Sequence, residues 1–140
     1  MPSGQSAVYF ADENALGLGK LLERTGRTDV VYPGHPSLPE VPLGCPDLDW
    51  MPVVALQGLI VLTRDRRIRT RPAELEIYLA QGIRAVWLGG KRDLGPRDQL
   101  ALFIKHEERL QRQAVKLGGG PWALIMTATG VRELSLRSLD

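Results

Sequence analysis

The chain has 140 residues, a length typical of one domain with a sizeable core. Its content of 44% hydrophobic and 24% charged residues is that of an ordinary globular protein, and a formal net charge of +2 is too small to identify a nucleic-acid binder. The single cysteine, Cys45, excludes an internal disulfide framework and is compatible with a reducing cytosol.

The N-terminus gives no sign of export. Residues 1–6 contain neither the basic segment nor the apolar run of a secretory leader, and no apolar run in the sequence approaches the length of a membrane span. We expect residues 1–6 to be disordered and residues 7–136 to form a single domain. The expected location is the cytoplasm, without a membrane partner.

The first third of the chain predicts a β-α-β unit. A short apolar run at residues 7–11 predicts a strand that ends at Asp12 and Glu13. Residues 14–24 predict a helix with a leucine stripe, and residues 28–32 predict a second strand. The two strands of such a unit are expected to pair in parallel, through a right-handed crossover.

A proline-rich segment follows. Residues 33–46 contain five prolines and two glycines, which exclude a helix or a central strand. We expect an ordered, extended loop that buries Leu38, Val41 and Leu43. Its histidine, His35, has no partner at metal-ligand spacing and is interpreted as a surface or capping residue.

The next stretch contains the most informative pattern. Residues 47–57 predict a helix with Asp47 at or near its N-cap. Residues 59–63 form a continuous apolar run rich in β-branched side chains, typical of a strand buried on both faces of a parallel sheet. Asp65 follows within residues 64–71, which hold five arginines and one acid and therefore predict a local basic patch.

The remaining elements complete an alternating pattern. Helices are predicted at residues 71–79 and 97–117, and strands at 83–88, at 121–127 and, antiparallel to that one, at 131–136. The apolar positions of the longest helix are Leu100, Phe103, Ile104, Leu110 and Val115. The alternation predicts a three-layer α/β/α sandwich with a mainly parallel central sheet and an antiparallel C-terminal edge strand.

Three acids fall where this architecture would bring them together. The carboxyl ends of parallel strands share one edge of a sheet, so Asp12 and Asp65 are expected in one crevice, with Asp47 facing the same edge. Clustered carboxylates repel one another and generally exist to hold a cation. Oxygen donors without histidine or cysteine favour Mg²⁺ or Mn²⁺. The local alternative for Asp47 is helix capping, which stabilises by about 0.5 to 2 kcal/mol without a ligand.

These residues carry a family resemblance. The segments FADEN at residues 10–14, PDLDW at 46–50 and LTRD at 62–65 resemble, in order and spacing, the PIN-like nucleases. The closest similarity is to a compact branch with an N-terminal D-E-N and a later T-x-D after an apolar strand. The segments VVYPGHPSLPEVPLGCPD and TRDRRIRTRPAE further resemble the toxin-type subgroup related to VapC ribonucleases. The resemblance extends from residue 7 to about residue 136.

The resemblance implies a Mg²⁺- or Mn²⁺-dependent endoribonuclease, commonly the toxin of a toxin-antitoxin pair and commonly a homodimer. By matching motif, Asp12, Asp47 and Asp65 would be the catalytic, metal-binding acids. A further ligand is expected among Glu13, Asp93 and Asp98. The partners would then be an RNA substrate and a protein antitoxin. The residues expected to contact RNA are Tyr32, as a stacking platform, and the cations Arg64, Arg66, Arg67, Arg69, Arg71, Lys91 and Arg92, with Arg64 and Arg69 first.

Two other functions are compatible with the pattern. One is a non-catalytic PIN-like module that binds RNA or protein and has lost its affinity for metal. The other is a receiver-like phosphoacceptor domain, which also has paired acids after its first strand and an aspartate after its third. Against the receiver, the proline-rich loop lengthens the step from Asp12 to Asp65, and residues 127–129 read Thr-Ala-Thr where a lysine is required.

Overall fold

The computed structural model describes residues 7–65, 70–90 and 94–136. The disorder predicted for residues 1–6 therefore lies outside the described residues. Within the described ranges, no helix combines the length and the apolar character that crossing a membrane requires.

Six strands form one sheet. They are β1 (Tyr9–Ala11), β2 (Val30–Val31), β3 (Ile60–Thr63), β4 (Arg84–Leu88), β5 (Trp122–Thr127) and β6 (Gly130–Glu133). The strand order is β2-β1-β3-β4-β5-β6. The first five strands run parallel, and β6 pairs antiparallel with β5. The predicted mainly parallel sheet with an antiparallel edge strand is thus confirmed.

Four helices cover the two faces of this sheet. They are α1 (Leu16–Arg24), α2 (Asp47–Leu56), α3 (Pro72–Gln81) and α4 (Pro96–Leu117), and a 3-10 turn at Glu13–Ala15 precedes α1. Helices α1 and α4 pack together on one face, whereas α2 and α3 pack together on the other. The predicted three-layer α/β/α arrangement is therefore correct.

The strands divide their side chains between two hydrophobic clusters. Tyr9 and Leu62 point to the cluster under α1 and α4, while Phe10 and Val61 point to the cluster under α2 and α3. This alternation follows from the two-residue period of a strand. Because both faces are covered, every residue of β3 is buried, as its continuous apolar run predicts.

Two glycines in α1 allow close packing. A Cβ added at Gly17 would lie 2.6 Å from Cγ of Pro96, and one added at Gly19 would lie 2.9 Å from Cβ of Ala11. Glycine lowers helix propensity, but here it lets α1 approach both the start of α4 and strand β1.

The buried face of α4 differs from the predicted one. Ile104 and Val115, predicted to be buried, are 53% and 82% exposed. The buried positions recur every three or four residues and are Gln99, Phe103, His106, Leu110 and Ala114. Ile104 and Val115 fall outside this stripe, and two of its positions are occupied by the polar residues Gln99 and His106.

The proline-rich loop is ordered and has no regular secondary structure, as predicted. Leu38 and Val41 are buried, but Leu43 is 63% exposed and lies over the backbone of Gly34 on the loop surface, so its predicted burial is wrong. The His35 ring caps the loop, since its Nδ1 accepts the Ser37 N–H at 3.0 Å.

Candidate active site

A cavity opens at the carboxyl edge of the sheet. The strand order changes direction at β1, which has β2 on one side and β3 on the other. In doubly wound sheets, ligands bind in the crevice outside the carboxyl ends at this switch point. Asp12 directly follows β1, and Asp65 lies two residues beyond β3. A cavity of about 330 Å³ lies between them.

The cavity brings the three predicted acids together. Among the described residues, five carboxylates and one guanidinium line it: Asp12, Glu13, Asp47, Asp65, Glu74 and Arg71. A cavity with this lining carries a strong negative charge, which opposes the entry of a phosphodiester unless a cation compensates it.

Asp12 is the most buried of these acids, with 2% of its surface exposed. Its Oδ2 accepts a hydrogen bond from the Thr63 hydroxyl at 2.5 Å, and its Oδ1 accepts the Ala15 N–H at 3.2 Å. Burial raises the pKa of Asp12 to about 7, with smaller contributions from the carboxylates of Asp47 and Asp65, although the two hydrogen bonds lower it. Without a counter-charge, Asp12 is therefore only partly ionised at neutral pH.

Thr63 links two of the acids. It is fully buried at the end of β3 and, besides donating to Asp12, accepts the Asp65 N–H at 2.9 Å. The indole N–H of Trp87 donates to the Asp65 main-chain carbonyl at 3.1 Å. These bonds fix the backbone of Asp65 relative to the Asp12 carboxylate. In the sequence, the T-x-D segment at residues 63–65 is the only sign of a role for Thr63.

Asp47 is the first residue of α2, next to the N-cap, Pro46. Its Oδ1 accepts the indole N–H of Trp50 at 2.9 Å. Pro46 has no side-chain donor or acceptor and forms no side-chain cap. Asp47 therefore lies near the N-cap, as predicted, although the N-cap position itself belongs to Pro46. Its carboxylate is held by a buried tryptophan, and the residue lines the cavity.

Two further acids belong to the cavity wall. Glu13 accepts the Gly44 N–H with Oε1, which ties the 3-10 turn to the proline-rich loop. Glu74, in the first turn of α3, lies 3.4 Å from Nη1 of Arg71. Glu74 was not among the predicted site residues, because an acid in the first turn of a helix is already explained by the helix dipole.

Cys45 lines the same cavity, but its environment does not favour a thiolate. Burial raises the pKa of the Cys45 thiol, and the nearby carboxylates of Asp49, Glu13 and Asp47 raise it further. A cysteine nucleophile requires the opposite shift.

Three of the predicted site residues lie elsewhere. Asp98 is exposed in the first turn of α4, which packs on the opposite face of the sheet from α2. The Tyr32 hydroxyl donates to Glu23 at 2.7 Å, outside the cavity lining. Arg64 donates from Nη1 to the Leu88 carbonyl and thus spans the ends of β3 and β4. The predicted residues that lie outside the described ranges are Arg66, Arg67, Arg69, Lys91, Arg92 and Asp93.

The cavity matches a hard divalent cation in its chemistry. Carboxylate oxygens are the ligands that Mg²⁺ and Mn²⁺ prefer, and a cation would relieve the cost of ionising buried Asp12. In the described ranges, however, no three histidine, cysteine, aspartate or glutamate side chains stand close enough to form a ready metal site. The donors are therefore suitable, but they are not assembled at ligand distances.

The sequence model of one protein family, described as "PIN like domain", matches residues 7–90. The match spans β1 to β4 and includes Asp12, Asp47 and Asp65. Domains of this kind are commonly nucleases. No curated protein and no solved structure matches the chain.

Proposed function

This chain belongs to the PIN-like domain family, and from that premise we propose that it is a Mg²⁺- or Mn²⁺-dependent endoribonuclease. The observation that carries the proposal is the meeting of Asp12, Asp47 and Asp65, which are far apart in sequence, in one cavity at the switch point of the sheet. The family match favours this function over a receiver-like phosphoacceptor, although the strand order of the first five strands suits both folds.

The excess of carboxylates in the cavity lining supports the proposal that the protein binds a cation there. Asp12, Asp47 and Asp65 would hold the metal, with Glu74 as an added candidate on the cavity wall. When bound, a divalent cation supplies Lewis-acid polarisation of the phosphoryl group and lowers the pKa of a coordinated water. Cation binding also stabilises the ionised form of Asp12, whose pKa of about 7 reflects burial without a counter-charge.

The protein's own groups would hold and orient the reactants. The Thr63 hydroxyl and the Trp50 indole fix one oxygen each of Asp12 and Asp47. Arg71, exposed at the cavity wall, is suited to contact a phosphate of the RNA. Attack of water on phosphorus would break the bond between phosphorus and the 3′-oxygen, which leaves with a proton as a 3′-hydroxyl, and the other product would carry a 5′-phosphate.

The toxin role rests on a narrower basis. It depends on the resemblance of residues 30–47 and 63–74 to the VapC-related subgroup. A protein antitoxin and a homodimer are proposed on the same ground. The test is the reading frame adjacent to the gene: a small DNA-binding protein encoded there would support the pair, and an unrelated frame would count against it.

Purified protein incubated with single-stranded RNA tests the main proposal. We expect cleavage with Mn²⁺ or Mg²⁺, its loss on adding a chelator, and its return when the cation is restored. Products should be ligatable through their 5′-phosphate. Cleavage that persists in excess chelator would contradict the cation requirement.

One observation favours a non-catalytic module as the second candidate, namely that the described residues form no ready three-ligand metal group. A Mn²⁺ titration of the thermal midpoint separates the two functions. A bound cation stabilises the folded state by RT ln(1 + [L]/Kd). If the protein is a nuclease, its thermal midpoint should rise with Mn²⁺ concentration; if it is a non-catalytic module, the midpoint should not change.

Thr63→Val should weaken cation binding. The substitution keeps the shape of the side chain but removes the hydroxyl that orients Asp12 and accepts the Asp65 N–H. Losing a group that positions a ligand typically costs about 10- to 100-fold in metal affinity. We expect a loss of this size for Mn²⁺, measured by calorimetry. Thr63→Ser, which restores the hydroxyl, should recover most of the affinity, and equal affinities for both variants would remove Thr63 from the site.

A further inference from the structure

A second groove, about 550 Å³ in volume, lies in the other helical layer. We call it the α1–α4 groove, since it runs between the exposed side of α1 and the start of α4. Lys20 and Arg24 line it from α1, and Arg97 lines it from α4. Asp98 supplies its one carboxylate among the described residues. Three cations against one acid make this groove electropositive, in contrast to the acidic cavity.

The cations of the α1–α4 groove are available to a ligand. Lys20, Arg24 and Arg97 are exposed, and none of them forms an ion pair with another described residue. Glu23, the acid between Lys20 and Arg24 in sequence, accepts the Tyr32 hydroxyl at 2.7 Å and contacts His35 Nε2 at 3.0 Å. The hydrogen bond from Tyr32 and, to a smaller extent, the positive charge of Lys20 lower the pKa of Glu23, and the Lys20 ammonium lies 6.0 Å from the centre of the Tyr32 ring. Exposed cations on both walls of a groove, without an ion pair among the described residues, suit a polyanion that lies between them.

The groove starts close to the acidic cavity. Both α1 and α4 begin at the carboxyl edge of the sheet, because they follow β1 and β4 respectively. The groove-lining positions of α1 begin at Gly17, three residues after Asn14, which lines the acidic cavity. A polymer bound in that cavity could therefore continue into the α1–α4 groove within about one helical turn.

The length of the groove suits several nucleotides. Helix α1 has nine residues, so it extends about 14 Å at 1.5 Å per residue. Phosphates of one stacked strand are about 3.4 Å apart along the axis, so about four could lie beside it. The described lining contains no aromatic side chain that could stack on a base. Contacts made only to phosphates hold a strand without reading its sequence.

We propose that the α1–α4 groove binds the sugar-phosphate backbone of single-stranded RNA on one side of the cleavage point. The inference rests on the proposed nuclease function, because it takes the acidic cavity as the position of the scissile phosphate. It assigns the main electrostatic contact to Lys20, Arg24 and Arg97, on the opposite helical layer from α2 and α3. Binding there is independent of the bases and sensitive to salt.

The test compares two triple variants with equal changes in charge, both carrying Asp12→Asn so that RNA stays intact. One is Lys20→Ala/Arg24→Ala/Arg97→Ala. The control is Arg109→Ala/Arg112→Ala/Lys116→Ala, in the second half of α4, on the order of 20 to 30 Å along the helix from Arg97. Fluorescence anisotropy measures the affinity for single-stranded RNAs of 4 and 12 nucleotides at several salt concentrations, and circular dichroism checks folding.

We expect the groove variant to bind the 12-nucleotide RNA at least about tenfold more weakly. The slope of log K against log[salt] should become shallower by about 2, since each phosphate contact on a single strand contributes about 0.7. The 4-nucleotide RNA and the control variant should change little. Equal losses in both triple variants, equal losses for both RNA lengths, or tighter binding of duplex RNA would each overturn the assignment.

The outcome for the groove is separable from the outcome for the nuclease. If the native protein cleaves RNA and the groove variant binds like its control, the groove inference fails and the nuclease stands. If the native protein never cleaves RNA but the groove variant loses length-dependent binding, the nuclease fails and the RNA-binding groove stands.

Discussion

Asp12→Asn is expected to eliminate Mn²⁺-dependent RNA cleavage in a protein that remains folded. The substitution keeps the size of the side chain but removes the negative charge that would hold the cation. Electrostatic groups of this kind typically contribute on the order of 10² to 10³ in rate, so the remaining activity should lie near the background. The measurement is single-turnover cleavage of a labelled single-stranded RNA at saturating Mn²⁺. Asp47→Asn and Asp65→Asn should act in the same direction.

Asp49→Asn is the matched control for this experiment. Asp49 lies in the first turn of α2, two residues from Asp47, but it is exposed and does not line the acidic cavity. Its loss should cost only the small dipole contribution of an exposed acid, about 0.3 to 1 kcal/mol of stability, with little change in cleavage. If Asp12→Asn and Asp49→Asn reduce cleavage equally, or if neither does, Asp12 has no special role in the reaction.

The positions of the main acids could be predicted from the sequence because strand ends are visible in it. The apolar run at residues 59–63 ends abruptly, which fixes Asp65 at the carboxyl edge of β3. The same logic places Asp12 after β1. The helix predicted to begin at residue 47 agrees with α2, whose first residue, Asp47, lines the same cavity. In each case, the local sequence determines where the helix or strand begins or ends. The parallel arrangement of the strands then places these ends at one edge of the sheet.

The orientation of helix faces could not be predicted in the same way. Which stripe of α4 is buried depends on how the helix packs on the sheet. One of the buried positions holds the polar Gln99, whose amide Nε2 donates to the Leu94 carbonyl at 2.7 Å. The buried Oε1 of Gln99 and Nε2 of His106, the two polar residues of the stripe, have no hydrogen-bond partner among the described residues. Ile104 and Val115, which are aliphatic, lie on the solvent side of the same helix.

Thr63 and Glu74 show a similar limit at the site. A threonine at the end of a strand is ordinary, because β-branched residues are favoured there. Only its partners, the Asp12 carboxylate and the Asp65 N–H, distinguish it. In the sequence, Glu74 is explained by its favourable position in the first turn of a helix. Only the packing of α3 in the structure shows that it lies on the cavity wall.

The acidic cavity should also destabilise the cation-free protein as pH rises. The folded-state pKa of Asp12, about 7, is above its ordinary value of 3.8, so the folded protein binds this proton more tightly than the unfolded chain does. The contribution to stability is complete below about pH 4 and is lost as pH rises through 7. A shift of about three pKa units corresponds to about 4 kcal/mol. Chemical denaturation in chelator, from pH 4 to pH 8, measures this loss.

Asp12→Asn isolates the contribution of this one carboxyl group, because the other titrating groups are shared with the native protein. The native free energy of unfolding should fall relative to that of the variant by a few kcal/mol between pH 4 and pH 8. Mn²⁺ at pH 8 should restore stability to the native protein and do much less for the variant, since only ionised Asp12 binds a cation well. If the free energy of unfolding depends on pH in the same way for the two proteins in chelator, Asp12 ionises without cost in its buried position. The electrostatic argument for a cation in this cavity would then be wrong.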